Sequence, residues 1–311
     1  MSTMAKWTEA DIPDQTGRTA LVTGANSGLG LRTAEVLGAR GAHVLLACRS
    51  PERGQRALER VLAAGASAEL VRLDLADLSS VRAAAKAVRE RTGDALDLLI
   101  NNAGVMAVPL GRTADGFERQ FGTNHLGHAA LTWLLMPALR TRPGARVVTV
   151  SSLAHQAGSV DLADPDYEVR RYRAWPAYAQ SKLANLLFAR ELDRRARAAG
   201  LDVTSVAAHP GVTATELSAN TARSRGNPLI GLGAKIGNLF SQPVEKGALP
   251  QLYAATAPGV EPGGYYGPSG LRGMFGHPGP AWSTAASRDE LAASRLWDLT
   301  AKLTGVEPDP A

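Results

Sequence analysis

Short apolar runs alternate with stretches of helical spacing along the first half of the chain, and this alternation constrains the fold more than any other feature. The apolar runs, which predict buried strands, are residues 19–24, 42–48, 68–75, 96–104 and 144–152. The stretches of helical spacing are residues 29–41, 52–65, 78–91 and 124–139. Strands that alternate with helices form a parallel sheet with helices on both faces. The sequence therefore predicts an α/β fold.

The length and the even composition indicate how the chain is organised. It has 311 residues, of which 45% are hydrophobic, so a sizeable core is possible. No linker, repeat or low-complexity tract interrupts it. We therefore expect a single domain over residues 1–311, with a nucleotide-binding half at about 17–150, catalytic and substrate loops at about 151–285 and a C-terminal helix at about 287–303.

The net charge of +5 raises the question of a nucleic-acid partner. The basic residues are mostly arginine, and they are spread along the chain without a run of five or more. A basic stripe with interleaved aromatic residues, which single-stranded nucleic acids favour, is absent from the sequence. We expect no nucleic-acid partner.

Three further classes of protein are disfavoured by the residues present. The single cysteine, Cys48, excludes an intrachain disulfide and a cysteine metal cluster. His125 and His128 lie three residues apart without the glutamate of an H-E-x-x-H zinc site, so we expect no metal. The N-terminal stretch is polar, and no segment approaches the roughly 18 apolar residues of a membrane span. We expect a soluble, cytoplasmic protein that does not bind membranes.

The motif TGANSGLG, residues 23–30, joins the first predicted strand to the first predicted helix. Glycines let a backbone approach a pyrophosphate closely, and a helix N-terminus offers free N–H groups and a partial positive charge. Gly24, Gly28 and Gly30 stand in that position, although the same spacing also suits a tight turn without a ligand. The context on the first strand favours dinucleotide binding.

The end of the second predicted strand indicates which dinucleotide is bound. A site that prefers NAD usually has an acidic residue there for the ribose hydroxyls, whereas an arginine accommodates a 2′-phosphate. This chain has Cys48 followed by Arg49, and no carboxylate precedes Glu52. We therefore expect NADP(H) in preference to NAD(H), the alternative being that Arg49 only meets solvent.

The motif YAQSK places Tyr178 and Lys182 four residues apart, which is one face of a helix. A positive charge near a phenol favours the phenolate and lowers its pKa, which suits proton transfer near neutral pH. The alternative is an ordinary surface pair.

Seven motifs in the same order and spacing resemble the short-chain dehydrogenase/reductase family. They are TGANSGLG, the DL of residues 74–75, NNAG (101–104), TNHLGHAALT (123–132), VVTVSS (147–152), YAQSK and HPGVTATEL (209–217). ACRS, VSSLAHQ and GGYYGP are most similar to the branch that contains retinol dehydrogenases and the WW-domain oxidoreductase. The resemblance implies a doubly wound Rossmann-type sheet of about seven parallel strands.

The resemblance also implies residue roles. Tyr178 would exchange a proton with the substrate oxygen, Lys182 would lower its pKa and hold the nicotinamide ribose, and Ser152 would bind the substrate oxygen. Asn124 would hold a water in a relay from Lys182, although it could be only a helix cap. Ser152 is chosen over its neighbour Ser151 because the later serine of such a pair is the family's catalytic one. The implied cofactor contacts are Gly24, Asn26, Ser27, Gly28, Leu29, Gly30, Arg49, Asp74, Leu75, Asn102, Ala103, Gly104, Tyr178, Lys182, Pro210, Gly211, Val212, Thr213 and Thr215.

The substrate is not specified by these motifs, but its surroundings are apolar. The candidate substrate residues are Ser152, Leu153, His155, Tyr172, Trp175, Tyr178 and Leu217, with His155 alternatively a structural histidine. We expect an NADP(H)-dependent carbonyl reductase or alcohol dehydrogenase that acts on an apolar aldehyde, ketone or alcohol. A non-catalytic NADP(H)-sensing protein on the same fold is the alternative. A homodimer through the helices that contain TNHLGHAALT and YAQSK is the expected assembly.

Overall fold

The structure is a computed structural model that describes residues 6–213 and 241–311. Its strands are β1 Thr19–Thr23, β2 His43–Cys48, β3 Ser67–Arg72, β4 Leu98–Asn101, β5 Ala145–Val150, β6 Val203–Ala208, β7 Tyr265–Gly270 and β8 Phe275–Pro280. They form a sheet in the order β3-β2-β1-β4-β5-β6-β7-β8. Pairs among β1 to β7 are parallel, and β8 is antiparallel to β7. The predicted doubly wound Rossmann-type sheet is confirmed, with one antiparallel strand added.

The added strand β8 was not predicted, because its sequence FGHPGP has two prolines and two glycines. Proline has no N–H group to donate, so it is confined to the edges of sheets. β8 is the last strand of the sheet, where one side of its backbone needs no partner. The edge position of β8 therefore permits a strand whose proline and glycine residues have low β-propensity.

Helices cover both faces of the sheet. They are α1 Gly28–Ala39, α2 Pro51–Ala63, α3 Leu78–Thr92, α4 Arg119–Phe121, α5 Gly127–Leu139, α6 Ala174–Ala198, α7 Val244–Thr256 and α8 Glu290–Thr304. A single π-helical turn, Gly122–Leu126, joins α4 to α5. Local sequence signals start several of them: Ser50 caps α2 with Pro51 at its first position, and Asp77 caps α3.

Successive residues of β1 point to opposite faces of the sheet and so enter two different cores. Val22 packs with residues of α1, α2 and α7, whereas Leu21 packs with residues of α3, α5 and α8. Because β1 lies between β2 and β4, the order of strands reverses there. In such a sheet the ligand crevice lies beyond the carboxyl ends of the strands at the reversal.

The C-terminal helix α8 packs on α5 and α6, the two helices expected to form a homodimer. Trp297 of α8 is 2% exposed and stacks on Phe188 of α6, with 5.4 Å between ring centroids. Its ring also meets the edge of Trp133 of α5 at 4.8 Å. The homodimer stays a prediction. Because α8 covers part of α5 and α6, a second copy that approached this side would also contact α8.

The long connection between β5 and α6 is irregular, as the sequence predicts. It begins with a 3₁₀ turn, Leu153–Ala157, and continues without regular structure to Arg173.

Within residues 6–213 and 241–311, no helix has both the length and the apolar character needed to cross a bilayer.

Candidate active site

A cleft of about 360 Å³ opens at the carboxyl ends of β1 and β4. Most of the residues proposed from the sequence line it. They are Gly24, Asn26, Ser27, Gly28, Leu29, Gly30, Arg49, Asp74, Leu75, Asn102, Ala103, Gly104, Ser152, Tyr178, Lys182, Pro210, Gly211 and Thr213. Thr215 and Leu217 lie outside the described residues.

The glycine-rich loop runs along one end of the cleft. Gly24 and Gly28 have positive φ angles of +67° and +54°, which residues with a side chain rarely adopt. A Cβ atom on Gly30 would lie 2.5 Å from the Asn102 side-chain nitrogen, so this position has no room for one. Helix α1 starts at Gly28, which brings its unpaired N–H groups to the cleft. The loop therefore fits a pyrophosphate.

The threonine that precedes this loop ties it to the end of β4. The Thr23 hydroxyl oxygen accepts hydrogen bonds from the backbone N–H groups of Asn102 and Ala103, both at 2.9 Å. The Asn102 side-chain amide donates back to the Thr23 carbonyl at 2.8 Å. Asn102 thus fixes the spacing of the two loops that flank the cleft.

A buried histidine that the sequence suggested only as a metal candidate extends this junction. Burial lowers the pKa of His128 to about 4, so its ring is neutral. Its Nδ1 lies 2.9 Å from the Asn124 carbonyl, which can only accept, so Nδ1 carries the proton. Nε2 then accepts from the Thr23 hydroxyl at 2.9 Å. His128 therefore links the glycine loop to the turn that holds Asn124.

Two arginines lie where the second strand ends. Arg49 is exposed and lines the cleft, and Arg53 of α2 lines it as well. With the Asn26 amide oriented so that its oxygen faces Arg53, that oxygen accepts from Nε and from a terminal nitrogen, both at 3.2 Å. Arg53 was missed in the sequence, where only its position one turn after Arg49 could have indicated it.

The two adjacent serines after β5 have different partners. The Ser151 hydroxyl donates to the Lys182 carbonyl at 2.7 Å and is buried. The Ser152 hydroxyl accepts from the Ala154 N–H at 3.2 Å, and Ser152 lines the cleft together with Tyr178. Both serines border the cleft, but the Ser151 hydroxyl proton is taken by the Lys182 carbonyl, so Ser152 is the serine that can donate to a substrate beside Tyr178.

Burial, rather than the neighbouring lysine, dominates the titration of Tyr178. It raises the pKa of Tyr178 to about 12, although the Ser152 hydrogen bond acts in the opposite direction. The expected net lowering by Lys182 is wrong for this state, because burial sets the direction of the shift even though the ammonium nitrogen lies over the ring, 5.8 Å from its centroid. Lys182 donates instead to the Val150 carbonyl at 3.0 Å, and burial lowers its pKa to about 8.

Asn124 does not line the cleft, because its side chain is committed to the backbone behind it. Its oxygen accepts from the Val105 N–H at 2.8 Å, and its nitrogen donates to the Val105 carbonyl at 2.9 Å and to the Ser181 hydroxyl at 2.9 Å. It lies in the π-helical turn and is not a helix cap. Asn124 therefore clamps a wall of the cleft, and its role in a water relay stays a prediction.

Comparison with known proteins assigns the chain to a family. A model of the family described as short chain dehydrogenase matches residues 18–226. The chain belongs to the short-chain dehydrogenase family. Its members are oxidoreductases that use NAD(H) or NADP(H).

Individual relatives place this short-chain dehydrogenase in the retinol-dehydrogenase-like branch. It is 41% identical to human (Homo sapiens) retinol dehydrogenase 13, covering 96% of this chain and 87% of that protein. It is 43% identical to polyprenol dehydrogenase of Mus musculus, covering 94% and 86%. A crystal structure of an uncharacterized protein from Mycobacterium paratuberculosis superimposes with a TM-score of 0.81 at 43% identity, covering 97% of this chain and 98% of that one.

The other end of the dehydrogenase's cleft follows β6. Gly211 has a φ of +66°, and a Cβ atom there would lie 2.8 Å from the Pro268 ring. The Thr213 hydroxyl donates to the Pro210 carbonyl at 2.7 Å, which closes a tight turn. Val212 does not line the cleft, because its N–H is bonded to the Met274 carbonyl and its side chain is 37% exposed.

Two proposed substrate residues lie behind the cleft of the dehydrogenase, which corrects the sequence interpretation. The His155 ring is fully buried against Tyr265, with Nδ1 bonded to the Ser152 carbonyl at 2.7 Å. The Tyr172 hydroxyl donates to the Val108 carbonyl at 2.7 Å and accepts from Gln120 at 2.8 Å. Both side chains are occupied by structural contacts, so neither lines the cleft.

The remaining substrate candidates lie beside the cleft. Trp175 is 52% exposed and meets the Tyr178 ring edge-on, with 6.0 Å between centroids. Leu153 is half-buried under the turn that contains Gly273. An apolar wall of Val105, Met106 and Val108 lines the cleft directly. These wall residues were missed because their segment has no motif of its own.

Proposed function

We propose that the protein is an NADP(H)-dependent oxidoreductase that transfers a hydride between nicotinamide and an apolar aldehyde or ketone, or the matching alcohol. One observation carries the proposal. Tyr178, Ser152 and Lys182 line the same cleft as the glycine loop, so a phenol, a hydroxyl and an ammonium group meet where a nucleotide would bind. A proton donor beside an oxygen-binding hydroxyl is what carbonyl reduction requires.

The residues of the chain fit the dinucleotide from end to end. The bound cofactor supplies the hydride. The amides of the glycine loop would hold the pyrophosphate, Asp74 and Leu75 the adenine, and the segment Asn102–Gly104 the adenine ribose. Lys182 would hold the nicotinamide ribose, and Pro210, Gly211 and Thr213 the carboxamide.

The acid-base groups suit reduction at neutral pH. Because its pKa is raised to about 12, the Tyr178 phenol keeps its proton until a substrate oxygen begins to develop negative charge. Ser152 stabilises that oxygen by hydrogen bonding. Lys182, with a pKa of about 8, is mostly protonated at pH 7 and supplies positive charge beneath the tyrosine.

Two arginines support the choice of NADP(H). Arg49 and Arg53 both line the part of the cleft next to Asn26, and the second strand ends in Cys48 instead of an acid. Burial raises the pKa of the Cys48 thiol to about 12, so it adds no negative charge there. A 2′-phosphate would meet two guanidinium groups, each with the planar set of N–H donors that pairs with phosphate oxygens.

The apolar wall and the relatives support an apolar substrate. Val105, Met106 and Val108 face the cleft, and Trp175 lies at the Tyr178 ring. The names of two relatives specify retinol and polyprenol, which are both large apolar alcohols. We propose an apolar carbonyl compound or alcohol as the substrate class.

A screen of NADPH consumption tests the proposal. The purified protein is incubated with NADPH and, separately, with straight-chain aldehydes, cyclic ketones and retinal. Oxidation of NADPH that depends on an apolar carbonyl is the expected result. Tight NADPH binding without turnover of any carbonyl, or of any alcohol with NADP⁺, would identify a nucleotide sensor and refute the enzyme.

A further inference from the structure

The wall of the cleft, residues 105–108, is held by a different side chain at almost every position. Asn124 bonds both the N–H and the carbonyl of Val105. The Gln120 side-chain oxygen accepts from the Ala107 N–H at 2.7 Å. The Tyr172 hydroxyl donates to the Val108 carbonyl at 2.7 Å. An irregular segment held this closely has a defined position relative to the cleft.

The backbone of the wall segment needs this support. Ala107 is fully buried and has a φ of +47°, in the left-handed region that residues with a Cβ rarely adopt. Such a conformation persists only where its surroundings enforce it, and it is found most often at functional sites. Gln120 supplies the bond to the N–H of that residue.

Gln120 also connects the wall to the helix that carries the catalytic tyrosine. Its side chain is buried, and its nitrogen donates to the Tyr172 hydroxyl at 2.8 Å and to the Ala174 carbonyl at 2.9 Å. Ala174 is the first residue of α6, and Tyr178 follows one turn later. Because Tyr172 donates its only hydroxyl proton to Val108, it must accept from Gln120, so the orientations of both groups are determined.

We propose that Gln120 and Tyr172 are positioning residues that set the gap between the wall segment and Tyr178, and that this gap selects the carbonyl substrate by its breadth. The proposal rests on the proposed function, because the substrate carbon must enter between Val105–Val108 and the phenol. Neither residue touches the substrate. Their effect is therefore on substrate fit and not on proton transfer or cofactor binding.

Amide hydrogen exchange tests the bracing without any reaction. In Tyr172→Phe, which removes one hydroxyl, exchange at Ala107 should quicken at least tenfold, because Gln120 and Val108 each lose a partner. Exchange at Val105, which Asn124 holds, should stay within twofold of the unmodified protein. Unchanged exchange at Ala107 would overturn the proposal.

Substrate selection is tested with octanal, which is slim, and 2-naphthaldehyde, which is broad. For Tyr172→Phe we expect KM for octanal to rise about three- to tenfold, the NADPH dissociation constant to stay within twofold, and kcat to fall less than threefold. The ratio of kcat/KM for the broad to the slim aldehyde should rise at least threefold. The matched control is Tyr253→Phe, because Tyr253 packs on Trp7 and does not line the cleft.

The outcomes separate this inference from the proposed function. An unmodified protein that reduces no carbonyl would refute the enzyme, while the exchange measurement would still decide the bracing. An active protein in which Tyr172→Phe and Tyr253→Phe give the same aldehyde ratio would overturn the inference alone. Gln120→Met is the second variant: it removes the acceptor for Ala107 and the donor to Tyr172 and Ala174, so exchange at Ala107 should quicken at least as much as in Tyr172→Phe, and unchanged exchange would overturn the bracing.

Discussion

The hydroxyls of Ser151 and Ser152 are adjacent in the chain, and only their surroundings distinguish them. Both border the cleft, but the Ser151 hydroxyl donates to the Lys182 carbonyl, whereas the Ser152 hydroxyl accepts from the Ala154 N–H and can offer its proton to a ligand beside Tyr178. The sequence alone offered both, and the family pattern favoured the second. Side-chain direction at the end of a strand depends on where the pairing with its neighbours stops, which residue types do not reveal.

At the same scale, the sequence predicted the pair Tyr178 and Lys182 on one helix face but not its titration. Four-residue spacing on α6 sets the face. The pKa of Tyr178 depends on desolvation, which requires knowledge of what covers the ring. The roles assigned to these residues stay predictions until variants are measured.

Replacing Tyr178 by phenylalanine should remove catalysis and little else. The ring stays, so the fold is kept, and the glycine loop and arginines for NADPH are untouched. Turnover of the best carbonyl should fall by roughly 10²-fold or more, because a positioned proton donor is lost. Steady-state kinetics and NADPH fluorescence titration give the two readouts. Reduction at the unmodified rate would show that the phenol is not the proton donor.

The preference for NADPH over NADH can be tested through Arg49 and Arg53. The unmodified protein should favour NADPH over NADH in kcat/KM by at least about tenfold, or ~1.4 kcal/mol. Arg49→Asp should reduce or invert that ratio, and Arg53→Met should reduce it. In both variants, titration should show weaker binding of adenosine 2′,5′-bisphosphate and unchanged binding of adenosine 5′-monophosphate. Lys86→Met, at an exposed position of α3 that does not line the cleft, is the control.

At the scale of elements, apolar runs located the strands because burial on both faces demands continuous apolar sequence. β1, β2 and β5 begin within a residue or two of their predicted positions. β8 and the π-helical turn Gly122–Leu126 were not predicted, because both depend on contacts made far along the chain. The turn places the Asn124 side chain where it accepts from the Val105 N–H, and no local sequence pattern predicts this hydrogen bond.

Helix α8 offers a stability test, because Trp297 is its main anchor. Trp297→Ala should lower the free energy of unfolding by about 3–5 kcal/mol, the usual cost of removing a large buried aromatic side chain. Trp297→Phe should cost far less, because it keeps a ring against Phe188 and removes an indole N–H that has no hydrogen-bond partner. Urea denaturation measures both. Equal losses for the two variants would contradict this account of the packing.

For the whole molecule, buried neutral histidines should make the fold sensitive to acid. Burial lowers the pKa of His125 to about 3, and those of His128 and His209 to about 4. Between pH 4 and 6.5 these histidines therefore bind protons in the unfolded chain but not in the folded chain. Stability is highest above pH 6.5 and falls as pH decreases, by up to about 1.4 kcal/mol per pH unit for each histidine.

Urea midpoints at pH 7.5, 6.0 and 5.0 check this slope. Glu118 and Asp166 act in the opposite sense, because burial raises the pKa of each carboxyl. His209→Asn should make the slope shallower, because a buried ring with a lowered pKa is removed. The same slope in His209→Asn and in the unmodified protein would contradict a neutral His209 in the folded state.

The prolines of β8 have a consequence for how copies of the protein behave when crowded. An open sheet ends in unpaired backbone groups, which can recruit a strand from another molecule and start aggregation. Pro278 and Pro280 present no N–H on the last strand, and His277 contacts the carbonyl of Trp7 there at 3.1 Å. At the opposite edge, β3 carries the exposed residues Glu69 and Arg72. Charged side chains on an edge strand disfavour pairing with a strand of another molecule. The sheet thus ends in two borders that are unsuited to growth, which favours a dispersed protein at the concentrations reached during synthesis.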